Sequence, residues 1–296
     1  MPELPEVETI VRTLRRRLVG ATICGVDLRR TDIVRTANAD LVHRLHGRKI
    51  RDITRRAKRI VISLDADLAL GIHLGMSGRL TLDPPAAPRL PHTHLVLGIG
   101  PAVAGCELRF RDPRRFGGVW LLADGQTWPG ALGPEPLTMR PIQLIGRLAA
   151  TRRAIKTALL DQALIAGLGN IYADEALHAA RIHPCAASCH LATEQVRRLC
   201  RAIKLVLRRA LRHRGSTLRD YVNADNQSGD FQKLHRVYDR AGEPCLRCRT
   251  AIARIVLGGR STHFCPICQP RRCAHHEGRA DRRSATRLRN SAVGKA

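Results

Sequence analysis

Cys245-Leu246-Arg247-Cys248 is followed, after sixteen intervening residues, by Cys265-Pro266-Ile267-Cys268. Each pair can place two thiolates on one metal from a tight turn. The spacer is long enough for a β-hairpin that brings the pairs together. Four sulfurs in tetrahedral geometry favour zinc and leave no position open for a substrate. The spacing therefore predicts one structural Zn2+ held by Cys245, Cys248, Cys265 and Cys268 in a small C-terminal ribbon. Inside the hairpin, Gly258-Gly259-Arg260-Ser261-Thr262 puts Arg260 near the tip. There a glycine pair lets the chain approach a phosphate, and the guanidinium fork can grip its oxygens. A merely solvated Arg260 is the alternative. Cys185, Cys189 and Cys273 lack a matching pair and read as ordinary thiols.

Upstream of the ribbon the pattern is helical. Candidate helices cover 141–164, 170–181, 193–213 and 216–223. Leu199, Ile203, Val206, Leu207 and Ala210 make an apolar face, with Arg197, Arg198, Arg201, Arg208 and Arg209 largely around it. Between two of these helices lies Gly167-Leu168-Gly169-Asn170-Ile171-Tyr172. Asn170 can cap the helix that follows, whose free N–H groups would make an anion site for a DNA phosphate. Gly133-Pro134-Glu135-Pro136 reads as a linker.

Before that linker, residues 22–122 read mostly as short strands separated by turns, the texture of a β-sandwich or barrel. Ile60–Leu64, Leu95–Leu97 and Val119–Leu122 are examples. Arg55-Arg56-Ala57-Lys58-Arg59 sets cations at a strand edge. His73-Leu74-Gly75-Met76-Ser77-Gly78 and Asp112-Pro113-Arg114-Arg115-Phe116-Gly117 are turns that carry Met76 and Phe116. On loop tips of a basic protein these side chains suit wedges entering a base stack; ordinary core packing is the competing reading.

The chain begins Met1-Pro2-Glu3-Leu4-Pro5-Glu6. Once Met1 is removed, Pro2 is a secondary amine with the pKa of about 7.7–8.0 of an α-amino group, so part of it is neutral and nucleophilic at physiological pH. Glu3 beside it can move protons. Locally the same residues are a helix start: Pro5 suits the first turn, and Val7, Ile10, Val11, Leu14 and Leu18 form an apolar stripe.

Charge favours a polyanionic partner. The chain has 51 Lys plus Arg against 25 Asp plus Glu, a formal charge of +26 over 296 residues. Residues 271–296 hold eight basic and two acidic residues, so +20 of the charge lies elsewhere. No apolar run approaches the roughly 18 residues needed to span a membrane. No signal-peptide core is present, so a cytoplasmic protein is expected, with metal-bound or free cysteines rather than disulfides. The last 26 residues, polar and Arg-rich, read as disordered.

Taken in order, these motifs resemble the bacterial formamidopyrimidine-DNA glycosylases. The match covers residues 1 to about 270 and runs through Pro2–Thr9, Arg55–Lys58, His73–Gly78, Asp112–Gly117, Gly133–Leu137, Gly169–Ala173 and the four-cysteine ribbon. The resemblance implies an α+β chain: an N-terminal catalytic β-sandwich with a leading helix (1–133), a helix–two-turn–helix domain (134–237), a zinc ribbon (238–270) and a basic tail (271–296). It implies a bifunctional base-excision repair enzyme, a DNA glycosylase and apurinic/apyrimidinic lyase acting on oxidised purines such as 8-oxoguanine. Damaged double-stranded DNA would be the partner of a monomeric protein that associates with the nucleoid.

Residue by residue, the resemblance makes Pro2 the nucleophile, Glu3 its proton donor, and Lys58 and Arg260 the residues of β- and δ-elimination. His73 and Asn170 resemble phosphate contacts, with Lys58 and Arg260. His92 and Arg114 occupy DNA-binding positions. Met76, Arg114 and Phe116 resemble the trio that fills the hole left by a flipped base. Some positions depart from the pattern. Thr151-Arg152-Arg153 stands where the family commonly has Lys, which aligns Arg152 with a DNA contact. Arg219 replaces a usual Lys, and the lesion-capping loop at Asn223–Phe231 lacks part of the usual pattern. Leu4 separates the chain from the endonuclease VIII branch, where Gly is usual. An endonuclease VIII-like enzyme for oxidised pyrimidines and a non-catalytic damage-binding paralogue are the rival readings.

Overall fold

The computed structural model describes residues 2–36, 40–100, 105–123, 128, 130–219 and 221–271. The chain opens with helix α1 (Leu4–Leu18). Strands β1 (Thr22–Leu28), β2 (Ile50–Arg56), β3 (Arg59–Leu64), β4 (Leu68–His73), β5 (Arg79–Asp83), β6 (Thr93–Gly100), β7 (Cys106–Arg111) and β8 (Gly118–Ala123) follow, with a short helix α2 (Leu41–Leu45) after β1. They form two four-stranded antiparallel sheets, ordered β1-β6-β7-β5 and β2-β3-β4-β8.

One core holds the sandwich together. Ile23, Leu95, Leu97, Leu108 and Phe110 from the first sheet meet Ile53, Ile60, Ile62, Leu70, Ile72 and Leu121 from the second. The α1 stripe read from sequence (Val7, Ile10, Val11, Leu14, Leu18) is buried in the same core. Burial of such apolar surface, at about 25 cal/mol per Å2, is the main term that fixes the sandwich.

The second half contains α3 (Pro141–Ala149), α4 (Ile155–Leu160), α5 (Asn170–Ala180) and α6 (Thr193–Arg212). Leu199, Ile203, Val206, Leu207 and Ala210 of α6 are buried, as their spacing requires. The expected single helix at 141–164 is broken. The N–H groups of Ile155 and Lys156 bond to the carbonyls of Ala186 and Pro184, at 2.8 and 3.2 Å, instead of continuing from α3. Nor is there a helix at 216–219 or 221–223. There the Ser216 and Thr217 N–H groups donate to the side chains of Glu6 and Gln232.

Strands β9 (Ala253–Leu257) and β10 (Arg260–Phe264) make the ribbon's hairpin. Gly258 and Gly259, with φ of 56° and 72°, form its turn, a backbone conformation that L side chains rarely adopt. The expected disorder of the tail falls on 271–296, of which only Arg271 lies within the described residues, and Cys273 is likewise outside them.

The two large cores are joined rather than merely adjacent. Leu4 at the start of α1 belongs to the helical core, whereas Val7 onward belongs to the sandwich core. Tyr221 and Ala224, from beyond α6, pack in the sandwich core. The Leu82 N–H donates to Ala224 O at 2.8 Å, and Arg17 pairs with Asp225 at 2.6 Å. Among the described residues no helix is long and apolar enough to cross a membrane.

Candidate active site

Pro2 and Glu3 are buried where α1 begins, and Glu3 is 2% exposed. The Glu3 N–H donates to Glu6 Oε2 at 2.9 Å, half of a capping box. The Glu3 carboxylate reaches across to α5. Its oxygens accept from the N–H groups of Gly169 at 2.6 Å and Ile171 at 3.0 Å. Glu3 thus occupies the positive end of α5, the place the sequence offered to a DNA phosphate. Gly169, not Asn170, is the cap, and a Cβ on it would fall 2.4 Å from Glu3 Cδ.

Burial lifts the Glu3 pKa to about 7, against the opposing pull of Lys58; the Glu6 charge adds to the rise and the two backbone donors reduce it. A carboxyl poised there can give and take protons at physiological pH. Glu6 is also buried, and burial raises its pKa. It accepts from Tyr172 Oη at 2.5 Å and from the Ser216 N–H at 2.7 Å. Gly215 leaves room for this carboxylate, because a Cβ there would lie 2.5 Å from Glu6 Oε1.

Lys58 sits in the β2–β3 turn and is 7% exposed. Burial lowers its pKa while Glu3 and Glu6 oppose the shift, so a neutral amine is brought closer to physiological pH. Its turn is braced from the linker that the sequence left without a role. Glu135 accepts from Arg55 Nη2 at 2.7 Å, Arg56 Nη1 at 2.9 Å and the Ala57 N–H at 2.7 Å. Arg55 also bonds Glu8 at 2.9 Å and the Ala57 carbonyl at 2.8 Å. Arg55 and Arg56 therefore serve as framework, not as the free edge cations that the sequence suggested.

Arg260 is exposed at the start of β10, and the ribbon that carries it is tied to the helical half. Asn170 Nδ2 and Lys156 Nζ both donate to the Ser261 carbonyl, at 2.9 and 2.7 Å. Lys156, 0% exposed, pairs at 2.6 Å with Asp174 on α5, and Asp174 accepts from the His263 N–H at 2.9 Å. Asn170 is thus turned to the ribbon, with its Oδ1 buried and unpartnered. The sequence marked Glu135 only as part of a linker motif and assigned Lys156 and Asp174 no role; each acts through partners remote in the chain.

The two turns at 73–78 and 112–117 interlock. Asp112, fully buried, accepts from Ser77 Oγ at 2.6 Å and the Gly117 N–H at 2.8 Å. Gly75 adopts a φ of 61°, and a Cβ on it would lie 2.4 Å from the Gly117 nitrogen. On this platform Phe116 is 55% exposed, which removes core packing as its explanation. Arg114 stacks over its ring at 4.6 Å. Met76 is half-buried. His73 accepts from the Gly75 N–H at 3.3 Å, and burial, with Arg59 and Lys58, lowers its pKa to about 4, so it is neutral. His92 and Arg152 are exposed.

The four ribbon sulfurs lie within 4.8 Å of one another. Cys248 Sγ is 3.3 Å from Cys265 Sγ and 3.6 Å from Cys268 Sγ, and Cys245 Sγ is 3.9 Å from Cys268 Sγ. Zinc–sulfur bonds of about 2.3 Å require tetrahedron edges of about 3.8 Å, so the set fits one Zn2+. The N–H groups of Arg247 and Cys268 donate to Cys245 Sγ and Cys265 Sγ, as thiolates in metal knuckles require. Cys185 and Cys189 stand apart from this set.

Three family models match consecutive stretches: the formamidopyrimidine-DNA glycosylase N-terminal domain at 1–119, the H2TH domain of the same enzymes at 132–222, and the zinc finger found in FPG and IleRS at 242–271. The chain belongs to the formamidopyrimidine-DNA glycosylase family. The formamidopyrimidine-DNA glycosylase of Chloroflexus aggregans is 45% identical over 276 residues, covering 91% of this chain and 98% of that one. A Lactococcus lactis FPG mutant complexed with Fapy-dG containing DNA superposes with a TM-score of 0.85 at 37% identity, over 91% of this chain and 100% of that one. The Lactococcus lactis Fpg bound to DNA containing an abasic site gives a TM-score of 0.85 at 36% identity, over 90% and 99%. As a family member the chain is a base-excision repair glycosylase with a structural zinc finger; lyase activity through a Schiff base is typical of formamidopyrimidine-DNA glycosylases.

Proposed function

We propose that this glycosylase removes oxidised purines, 8-oxoguanine and formamidopyrimidines, from double-stranded DNA and then cuts the strand by β,δ-elimination. The observation that carries the reading is the buried Glu3 carboxyl, next to Pro2 in the chain and held at the start of α5 by the Gly169 and Ile171 N–H groups. The Pro2 nitrogen lone pair bonds to C1′ of a flipped nucleotide as the glycosidic bond breaks; the base leaves with the bonding pair and takes up the proton that the Pro2 nitrogen sheds. Glu3 gives its proton to the ring oxygen as the C1′–O4′ bond opens, leaving an iminium. Loss of a C2′ proton then expels the 3′ phosphate, and a second elimination expels the 5′ phosphate. Hydrolysis releases Pro2.

Lys58, desolvated and facing Glu3, suits the first elimination, and Arg260 suits the departing phosphate of the second. His73, His92, Asn170, Arg114 and Arg152 would hold the DNA. Met76, Arg114 and Phe116 would fill the vacated stack. The ribbon zinc would hold Arg260 in place without touching substrate. The protein would work as a monomer in the cytoplasm, at the nucleoid, in units 1–133, 134–237 and 238–270. The test is an 8-oxoguanine:cytosine duplex with and without borohydride, comparing wild type with Pro2→Gly. An adduct unaffected by Pro2→Gly, or none in wild type, sinks this mechanism; cleavage of thymine glycol duplexes alone would move the chain to the pyrimidine enzymes.

A further inference from the structure

A cleft of about 990 Å3 lies between the helical half and the ribbon. It is at the far end of α5 from Glu3: α5 has 11 residues, so about 16 Å of helix separates the two places. Arg181, Arg198, Arg247 and Arg271 line it, with His183 and Gln195, and no carboxylate is among the lining residues. The arginines come from separate pieces of the fold. Arg181 is the C-cap of α5, Arg198 is on α6, Arg247 is in the first cysteine knuckle, and Arg271 follows the second.

Three of the four are exposed, and among the described residues Arg181, Arg247 and Arg271 form no ion pair, unlike many other arginines of this chain. Arg198 spends its Nε on the Ala180 carbonyl at 2.8 Å, which fixes the side chain against the wall. The charge of Arg271 reaches His183, whose pKa burial already lowers. Gathering like charges in a concavity is unfavourable unless an anion shares them. Cys248 and Cys268 also line the cleft, and a zinc centre of four thiolates carries a net charge of about −2; with the partly negative C-terminal end of α5 it offsets only part of the charge of the four arginines. Beyond Arg271 the sequence does not reverse sign: residues 272–296 carry seven Arg or Lys and two acidic residues.

We propose that this cleft is a second anion site, binding phosphate groups at a place separate from the lesion pocket. A bidentate guanidinium fork matches phosphate oxygens, and several from different elements match a polyphosphate or a nucleic-acid backbone. The two sources differ in one respect. A backbone segment must pass through the cleft while another duplex fills the Pro2 site, whereas a free polyphosphate need not.

The test uses the zinc-loaded full chain. In one arm the protein is trapped with borohydride on a short damaged duplex, then titrated with a labelled undamaged duplex. This arm rests on the Pro2 reading; if no adduct forms, that reading fails and the second arm still decides the cleft. In the second arm the free protein is titrated with tripolyphosphate by calorimetry. Arg181→Glu with Arg247→Glu is expected to weaken binding at least about tenfold, and more as salt falls, while Arg181→Lys with Arg247→Lys, which keeps the charge, stays within about threefold. Repair of the short duplex by the Glu pair should match wild type. Duplex binding assigns the cleft to nucleic acid; tripolyphosphate binding alone assigns it to a free polyphosphate. Equal binding of both probes by wild type and the Glu pair, at equal zinc content and melting temperature, overturns the proposal. Should the Glu pair misfold, Arg271→Glu, at the rim and outside every element, is read the same way.

Discussion

Glu3 Oε2 lies 2.6 Å from the backbone nitrogen of Gly169, a bond between residues 166 positions apart. The nearness is possible because residue 169 has no side chain. Gly169→Ala would put a methyl 2.4 Å from the carboxyl carbon. Overpacking of this kind costs about 1–3 kcal/mol. Single-turnover excision is expected to fall by more than the melting temperature accounts for, because the carboxyl must move off the helix end. Wild-type rates in a folded Gly169→Ala protein would show that the contact is dispensable.

The raised pKa of Glu3 has a signed consequence for stability. Its carboxyl rises from 4.5 to about 7 on folding. Between these values the native state holds a proton that the unfolded state has lost. The stabilisation is therefore full below about 4.5 and fades as pH rises through about 7, by an amount on the order of 3 kcal/mol. Glu3→Gln should flatten this part of the stability curve, measured by urea unfolding from pH 4.5 to 8. It should also remove the inflection near pH 7 from the excision rate.

Glu135 braces the turn that carries Lys58 through three hydrogen bonds. Glu135→Gln keeps the shape and weakens the pairing with Arg55 and Arg56, at a cost of about 1–2 kcal/mol. The elimination step should slow more than base release. Gels that separate abasic product from cut strand would read this ratio, and an unchanged ratio would confine Glu135 to stability.

Phe116 is 55% exposed and bears little on the core. Phe116→Ala should change stability by no more than about 0.5 kcal/mol. Affinity for lesion duplex should drop about tenfold, since stacking is worth about 1–3 kcal/mol per base. A large loss of melting temperature would instead make Phe116 a packing residue.

The ribbon has a very small core: Val237, Ile252, Cys245 and Cys265, flanked by Cys248 and Cys268. Such a core cannot hold a fold without its metal, which supplies an apparent 10–16 kcal/mol or so in zinc fingers. A strong chelator or Cys248→Ser should release the ribbon, seen as proteolysis after Val237. Strand cutting should be lost with it. Retained cutting after verified zinc loss would separate Arg260 from the reaction.

The sequence was most legible where chemistry is local. The cysteine spacing, the α1 stripe, the α6 face and the Gly258-Gly259 turn each follow from residues a few positions apart. Phe116 and Met76 were ambiguous because exposure is a property of the folded surface. The break between α3 and α4 has no local signal, because its cause is the carbonyls of Pro184 and Ala186. Gly167–Tyr172 showed a helix start with free donors, and only the fold reveals that Glu3, from the other end of the chain, fills them. The parts played by Glu135 and Lys156 are of the same kind.

Leu4 packs with the helical core and Val7 with the sandwich, so a single turn of α1 belongs to both. In chain order Pro2 comes far before Gly169 and Arg260. A partly synthesised or half-folded chain therefore presents an ordinary amine, with no helix end to hold Glu3 and no tip to bring Arg260. On the proposed mechanism, the reactive centre would come into being only on completion of the whole molecule, and unfinished copies would leave DNA uncut.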